Sequence, residues 1–131
     1  MNDFDLHTVR IALHLLAVSV WVGGQIVLAG LVPVMRDIGG DAPKRAAARF
    51  GRLAWPFFGL AVATGIWNIA ELEGSQTNEY LLTLVAKLAA VTVSGVAAFV
   101  HQRTPSVALR GVSGGLGLLS ALAALVLGVM L

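Results

Sequence analysis

Polar residues are few along this chain, and they separate four long apolar runs. No Asp, Glu, Lys or Arg falls between Arg10 and Arg36. The runs cover about 9–34, 53–70, 80–100 and 112–131, the second preceded by an amphipathic lead-in over 42–52. A helix rises about 1.5 Å per residue, so about 20 apolar residues cross a hydrocarbon layer of about 30 Å. Open strands leave backbone groups unpaired in lipid, and these runs are too long and continuous for barrel strands. The pattern predicts an all-α integral membrane protein, a four-transmembrane-helix bundle in a single domain over 1–131. Pro56 is expected to end or bend the second helix, since it frees the carbonyl of Arg52. The first run is too long for a signal peptide and follows Asp3 and Asp5 rather than a basic segment, so it reads as a retained span.

Helical periodicity sorts the polar residues into stripes. On the first run His7, His14, Trp21 and Gln25 share one side, with Ala12, Ser19, Gly23 and Gly30 opposite. On the second, Thr64, Asn68 and Glu71 share a side, and Trp55 and Trp67 read as interfacial anchors. On the third, Tyr80, Thr83, Lys87, Ser94 and His101 line up. The fourth carries small residues, Ser113, Gly117, Ser120 and Ala124, which suit close backbone packing against a helix of this chain or of a second copy.

Composition agrees with the membrane reading. Hydrophobic residues make up 57% and charged residues 12%, against about 25% charged in soluble domains. No basic face runs along the apolar segments, so nucleic acid is not an expected partner; the lipid bilayer is. The absence of cysteine excludes disulfides, thiolate metal sites and cysteine nucleophiles. The first connection carries Arg36, Lys44, Arg45, Arg49 and Arg52, and the third carries Arg103 and Arg110. The second has Glu71, Glu73 and Glu79 and no basic residue. The positive-inside rule then places the basic connections in the cytoplasm and both termini outside, in a bacterial cytoplasmic membrane. Arg10 is the basic residue left on the outer side.

That topology sets His14, Asn68 and Lys87 at similar depth, in the outer half of the bundle. If their polar sides face inward they form one site, with His7 and Glu71 at its mouth and Trp21 and Gln25 beneath. A neutral imidazole binds copper, zinc or haem iron. His14 and His7 are the candidate metal ligands; they stand about 10 Å apart on one helix, so a second axial ligand needs another helix or chain. His101 belongs to the other membrane surface, and Met1, Met35 and Met130 offer few soft ligands. Lys87 disfavours a bare cation and suits an anionic group, or else it snorkels to the outer interface. The pattern assigns no catalytic residue.

The segments HLLAVSVWVGG, RFGRLAWPFFGLAVATGIWN and LLTLVAKLAAVTVSG resemble the membrane domain of the copper-resistance protein D (CopD-type) family. The histidine–tryptophan helix and the buried lysine are also similar to HemJ-type protoporphyrinogen oxidases. The first resemblance implies copper handling or transport, beside a periplasmic copper-binding partner. The second implies a haem b-binding redox protein with a redox partner, and carries over His14 and Lys87. A third reading, from the glycine-rich fourth run, is an accessory membrane subunit, with a homodimer as one packing solution.

Overall fold

The computed structural model describes residues 4–131, so Met1 and Asp3 lie outside the described residues. The described elements are all helical: α1 (Leu6–Val18), a wide π-type turn (Ser19–Gly23), α2 (Gly24–Ile38), α3 (Ala42–Ala70), α4 (Asn78–Arg103) and α5 (Val107–Met130). The first three form one continuous rod of 33 residues, Leu6–Ile38. The rod and the other three helices are each long and apolar enough to cross a membrane.

Most helices begin before their apolar runs do, because polar residues cap them. Asp5 accepts the Thr8 amide at the start of α1, Thr77 that of Tyr80 before α4, and Ser106 that of Leu109 before α5. The lead-in over 42–52 belongs to the same helix as the run it precedes. Pro56 does not end that helix: α3 continues unbroken through it over 29 residues. On either side of it Trp55 and Phe58 close on Trp21.

The π turn interrupts the regular period of the rod. Its one-residue insertion shifts the register of α2 by up to about 100°, so Gln25 leaves the stripe that straight periodicity drew through His7 and His14. A widened turn holds its carbonyls less well, and side chains bond to the backbone at both of its ends. Ser19 Oγ donates to the Leu15 carbonyl at 2.6 Å, and Gln25 Nε2 donates to the Trp21 carbonyl at 2.9 Å.

The chain divides into two compact units, one ending at Glu73 and one beginning at Gly74. The first is an antiparallel hairpin of the rod and α3. It turns at Gly39 and Gly40, whose φ values of 85° and 58° lie where side-chain-bearing residues are strained. Gly24 receives the ring of Phe50 so closely that a Cβ there would overlap it. Trp21, Ala17, Ala54 and Thr64 are buried in this hairpin.

The second unit is the hairpin of α4 and α5, and it resolves the small-residue stripe. A Cβ on Gly117 would lie 3.5 Å from that of Ala97, so the partner is α4 of the same chain. The polar stripe of α4 is the face that meets α5. His101 lies against Gly114, its Nδ1 donating to the Arg110 carbonyl at 2.7 Å, and Lys87 lies against Gly128. Ser94 is fully buried, and Ser113 and Ser120 return their hydroxyls to the carbonyls of Leu109 and Leu116 at 2.7 Å each.

Two outcomes are expected. Gly24→Ala should destabilise the protein by about 1–3 kcal/mol in detergent, and adding Phe50→Ala should remove the clash, giving a non-additive thermal-unfolding cycle. The Asp5 carboxyl is held below its ordinary value by the Thr8 amide and then the Thr8 hydroxyl. Its contribution to α1 is therefore complete above the unfolded carboxylate value near 3.8 and is lost as pH falls through the lower folded value. Asp5→Asn should flatten amide-exchange protection at the start of α1 against pH in that acidic window.

Candidate functional site

The polar residues of the first unit gather where α1 runs beside the C-terminal half of α3. Antiparallel packing brings His14 to Thr64 and Arg10 to Glu71, and Asn68 sits on the α3 stripe between those contacts. Thr64, Asn68 and Glu71 recur at helical spacing, which is why one face of α3 carries all three.

Thr64 determines the tautomer of His14. Its Oγ1 lies 2.7 Å from the Leu60 carbonyl and 3.2 Å from that of Ala61, so its hydrogen goes to the helix backbone. The same oxygen lies 2.8 Å from His14 Nδ1 and accepts a proton from it. The neutral ring then carries its lone pair on Nε2. This is the hydrogen-bonded arrangement that orients ligating histidines generally. Gly65 borders the ring, a Cβ there lying 3.5 Å from Cε1.

Arg10 is the residue that sequence reasoning missed. It stood out only as an exception to the charge rule, yet it falls on the His7–His14 stripe, and that spacing was the signal. Its side chain is 12% exposed. It donates to His7 Nδ1 at 2.8 Å, approaches Glu71 at 3.9 Å, and lies 5.9 Å from the Trp67 ring centre, within cation–π reach. Trp67 therefore has a defined neighbour besides any interfacial role.

Two buried polar atoms at this end of the hairpin have no protein partner: Arg10 Nε, a donor, and Asn68 Oδ1, an acceptor. Leaving such an atom unpaired costs about 1–3 kcal/mol, so both need an account. An acceptor beside Arg10 Nε and a donor beside Asn68 Oδ1 would satisfy them.

His7 does not join His14. Arginine can only donate, so His7 Nδ1 accepts, its proton sits on Nε2, and no lone pair remains for a metal. The two rings are also two helical turns apart, about 10 Å along α1. Among the described residues no three His, Cys, Asp or Glu side chains gather as a metal site. Trp21 is buried one step deeper, its ring 5.1 Å from Trp55 and 4.5 Å from Phe58. It closes the hairpin below the His14 level.

Lys87 belongs to the second unit. Its Nζ lies 3.1 Å from where a Cβ on Gly128 would stand, in the last turn of α5. The carbonyls of a helix's last turn lack amide donors and form the negative end of its dipole, a favourable setting for an ammonium. No family model, curated protein or solved structure matches the chain.

Asn68→Leu should raise the stability of the ligand-free protein by about 1 kcal/mol or more, because it removes an unpaired buried oxygen at similar volume. Thr64→Val should lower it by about 1–2 kcal/mol and move the His14 ring nitrogen resonances toward a mixture of tautomers. Chemical denaturation and nitrogen-15 spectra of ring-labelled protein measure the two.

Proposed function

We propose that the chain is a multi-pass protein of a bacterial cytoplasmic membrane, both termini outside, that holds haem b through His14 and serves membrane electron transfer. The carrying observation is the His14–Thr64 bond, which presents the imidazole as the Nδ1–H tautomer. Haem iron takes a neutral imidazole through the opposite nitrogen, and bound haem would supply one-electron redox chemistry. The residues of the first unit fit such a group. His14 would hold the iron, Arg10 Nε would donate to a propionate carboxylate, and Gly65 leaves the ring's flank without a side chain. Arg10 is suited to this by charge, since a charged donor makes the stronger hydrogen bond to a carboxylate. Any further ligand to such a group would come from a second copy of the chain or another partner. Lys87 enters this reading through the HemJ-type resemblance.

The CopD-type resemblance supports copper handling with a periplasmic copper-binding partner as the other reading. The donor set serves it less well: one oriented imidazole, with His7 committed to Arg10 and Met35 in the last turn of α2. Copper sites draw on several imidazole or sulfur ligands.

The test is a reduced-minus-oxidised visible spectrum of protein purified in mild detergent. A Soret band is expected that is lost in His14→Ala, kept in His7→Ala and weakened in Arg10→Leu. A colourless protein that retains stoichiometric copper, lost in His14→Ala, would overturn haem in favour of copper. Neither cofactor, with other membrane proteins co-purifying, would point to an accessory subunit.

A further inference from the structure

Arg45, Arg49 and Arg52 are three of the basic residues near the turn of the first unit, and all three are exposed. At about 100° per residue they fall within about 60° of one another on α3. Their direction is settled by the opposite face: Phe50 seats against Gly24, and Gly51 and Ala54 are buried. The three guanidinium groups therefore point away from the rod. No carboxylate pairs with any of them among the described residues. Asp37 and Asp41 lie in and before the preceding turn, and the segment 36–52 keeps a net charge of +3, five basic residues against two acidic.

The same face changes character toward the middle of α3. Beyond Arg52 it presents Pro56, Gly59 and Ala63, all exposed, and a Cβ on Gly59 would meet nothing within 4 Å. This is a shallow apolar strip that begins where the arginines end. Depth agrees. From Arg52 to Glu71 is about 28 Å of helix, close to the thickness of a hydrocarbon layer. Arg49 and Arg45 continue for about 10 Å further, through the height of a headgroup layer.

We propose that this outer face of α3 is a binding site for an anionic phospholipid, its phosphate held by Arg45, Arg49 and Arg52 and one acyl chain lying along Pro56, Gly59 and Ala63. The proposal rests on the membrane placement given above. Charge complementarity selects the ligand, since arginine grips phosphate oxygens with paired donors while a zwitterionic headgroup cancels much of the attraction. The apolar strip below selects a lipid over a soluble phosphate, which needs no such surface.

The experiment uses the full chain in mild detergent, titrated with phosphatidylglycerol or phosphatidylcholine and read by native mass spectrometry. Phosphatidylglycerol should bind at least 10-fold more tightly than phosphatidylcholine. The triple variant Arg45→Gln, Arg49→Gln, Arg52→Gln should lose roughly 100-fold, about fivefold per guanidinium. The off-face pair Arg36→Gln, Lys44→Gln should lose far less. Gly59→Leu, which fills the strip and leaves the charge intact, should weaken binding without altering helix content by circular dichroism. Equal losses in the triple and the off-face pair would overturn the site, as would displacement of the lipid by millimolar inorganic phosphate. A carbonate wash of membranes separates the two levels of the argument. A chain released by the wash would overturn the membrane placement and this proposal together. A chain that stays but shows no lipid preference would overturn the proposal alone.

Discussion

A part-buried hydrogen bond between an imidazole and a threonine hydroxyl governs the first half of this protein. Thr64 can accept from His14 because its own hydrogen is already given to its helix. The bond joins α1 to α3 at one height and orientation, and it settles which ring nitrogen holds the lone pair. In a low-dielectric setting a polar group without such a partner is costly, so the bond acts as a register lock as well as a chemical one. Arg10, one turn nearer the chain's start, then meets Glu71 and Trp67 without further instruction.

The second half is governed by closeness. Glycine, alanine and serine line both sides of the α4–α5 contact, and the serine hydroxyls are returned to their own helix. Two larger polar side chains of α4 enter where α5 offers a glycine, His101 at Gly114 and Lys87 at Gly128. The glycines thus do two jobs, since they bring backbones together and make room for the polar stripe. For Lys87 the room lies in the final turn of a helix, where exposed carbonyls favour a cation.

The first hairpin has two chemically different ends. Near Glu71 it encloses a histidine and an arginine among buried polar atoms, which suits a bound group with its own donors and acceptors. Near the turn it offers unpaired arginines on an exposed face, which suits a phosphate. The Trp21–Trp55–Phe58 cluster fills the space between and keeps the ends separate. The proposed cofactor at one end and the proposed lipid contact at the other do not compete for the same residues.

Sequence alone was enough for the four helices, because the cost of exposing backbone in lipid leaves long apolar runs few alternatives. It was also enough for the stripes on α4 and α5, which follow from a regular period. It put the starts of α4 and α5 late, since Thr77 and Ser106 cap from outside the apolar runs, and of the two expectations at Pro56, an end or a bend, the end does not occur. His14 and Asn68 were legible as polar residues in apolar surroundings. The partner of His14, the tautomer it adopts and the enclosure of Arg10 were decided by the tertiary structure. These depend on which helices touch and at what height, and the period of one helix says nothing about the register of its neighbour. The π turn was hidden for a related reason: an inserted residue changes the period itself, and only backbone hydrogen bonds reveal it.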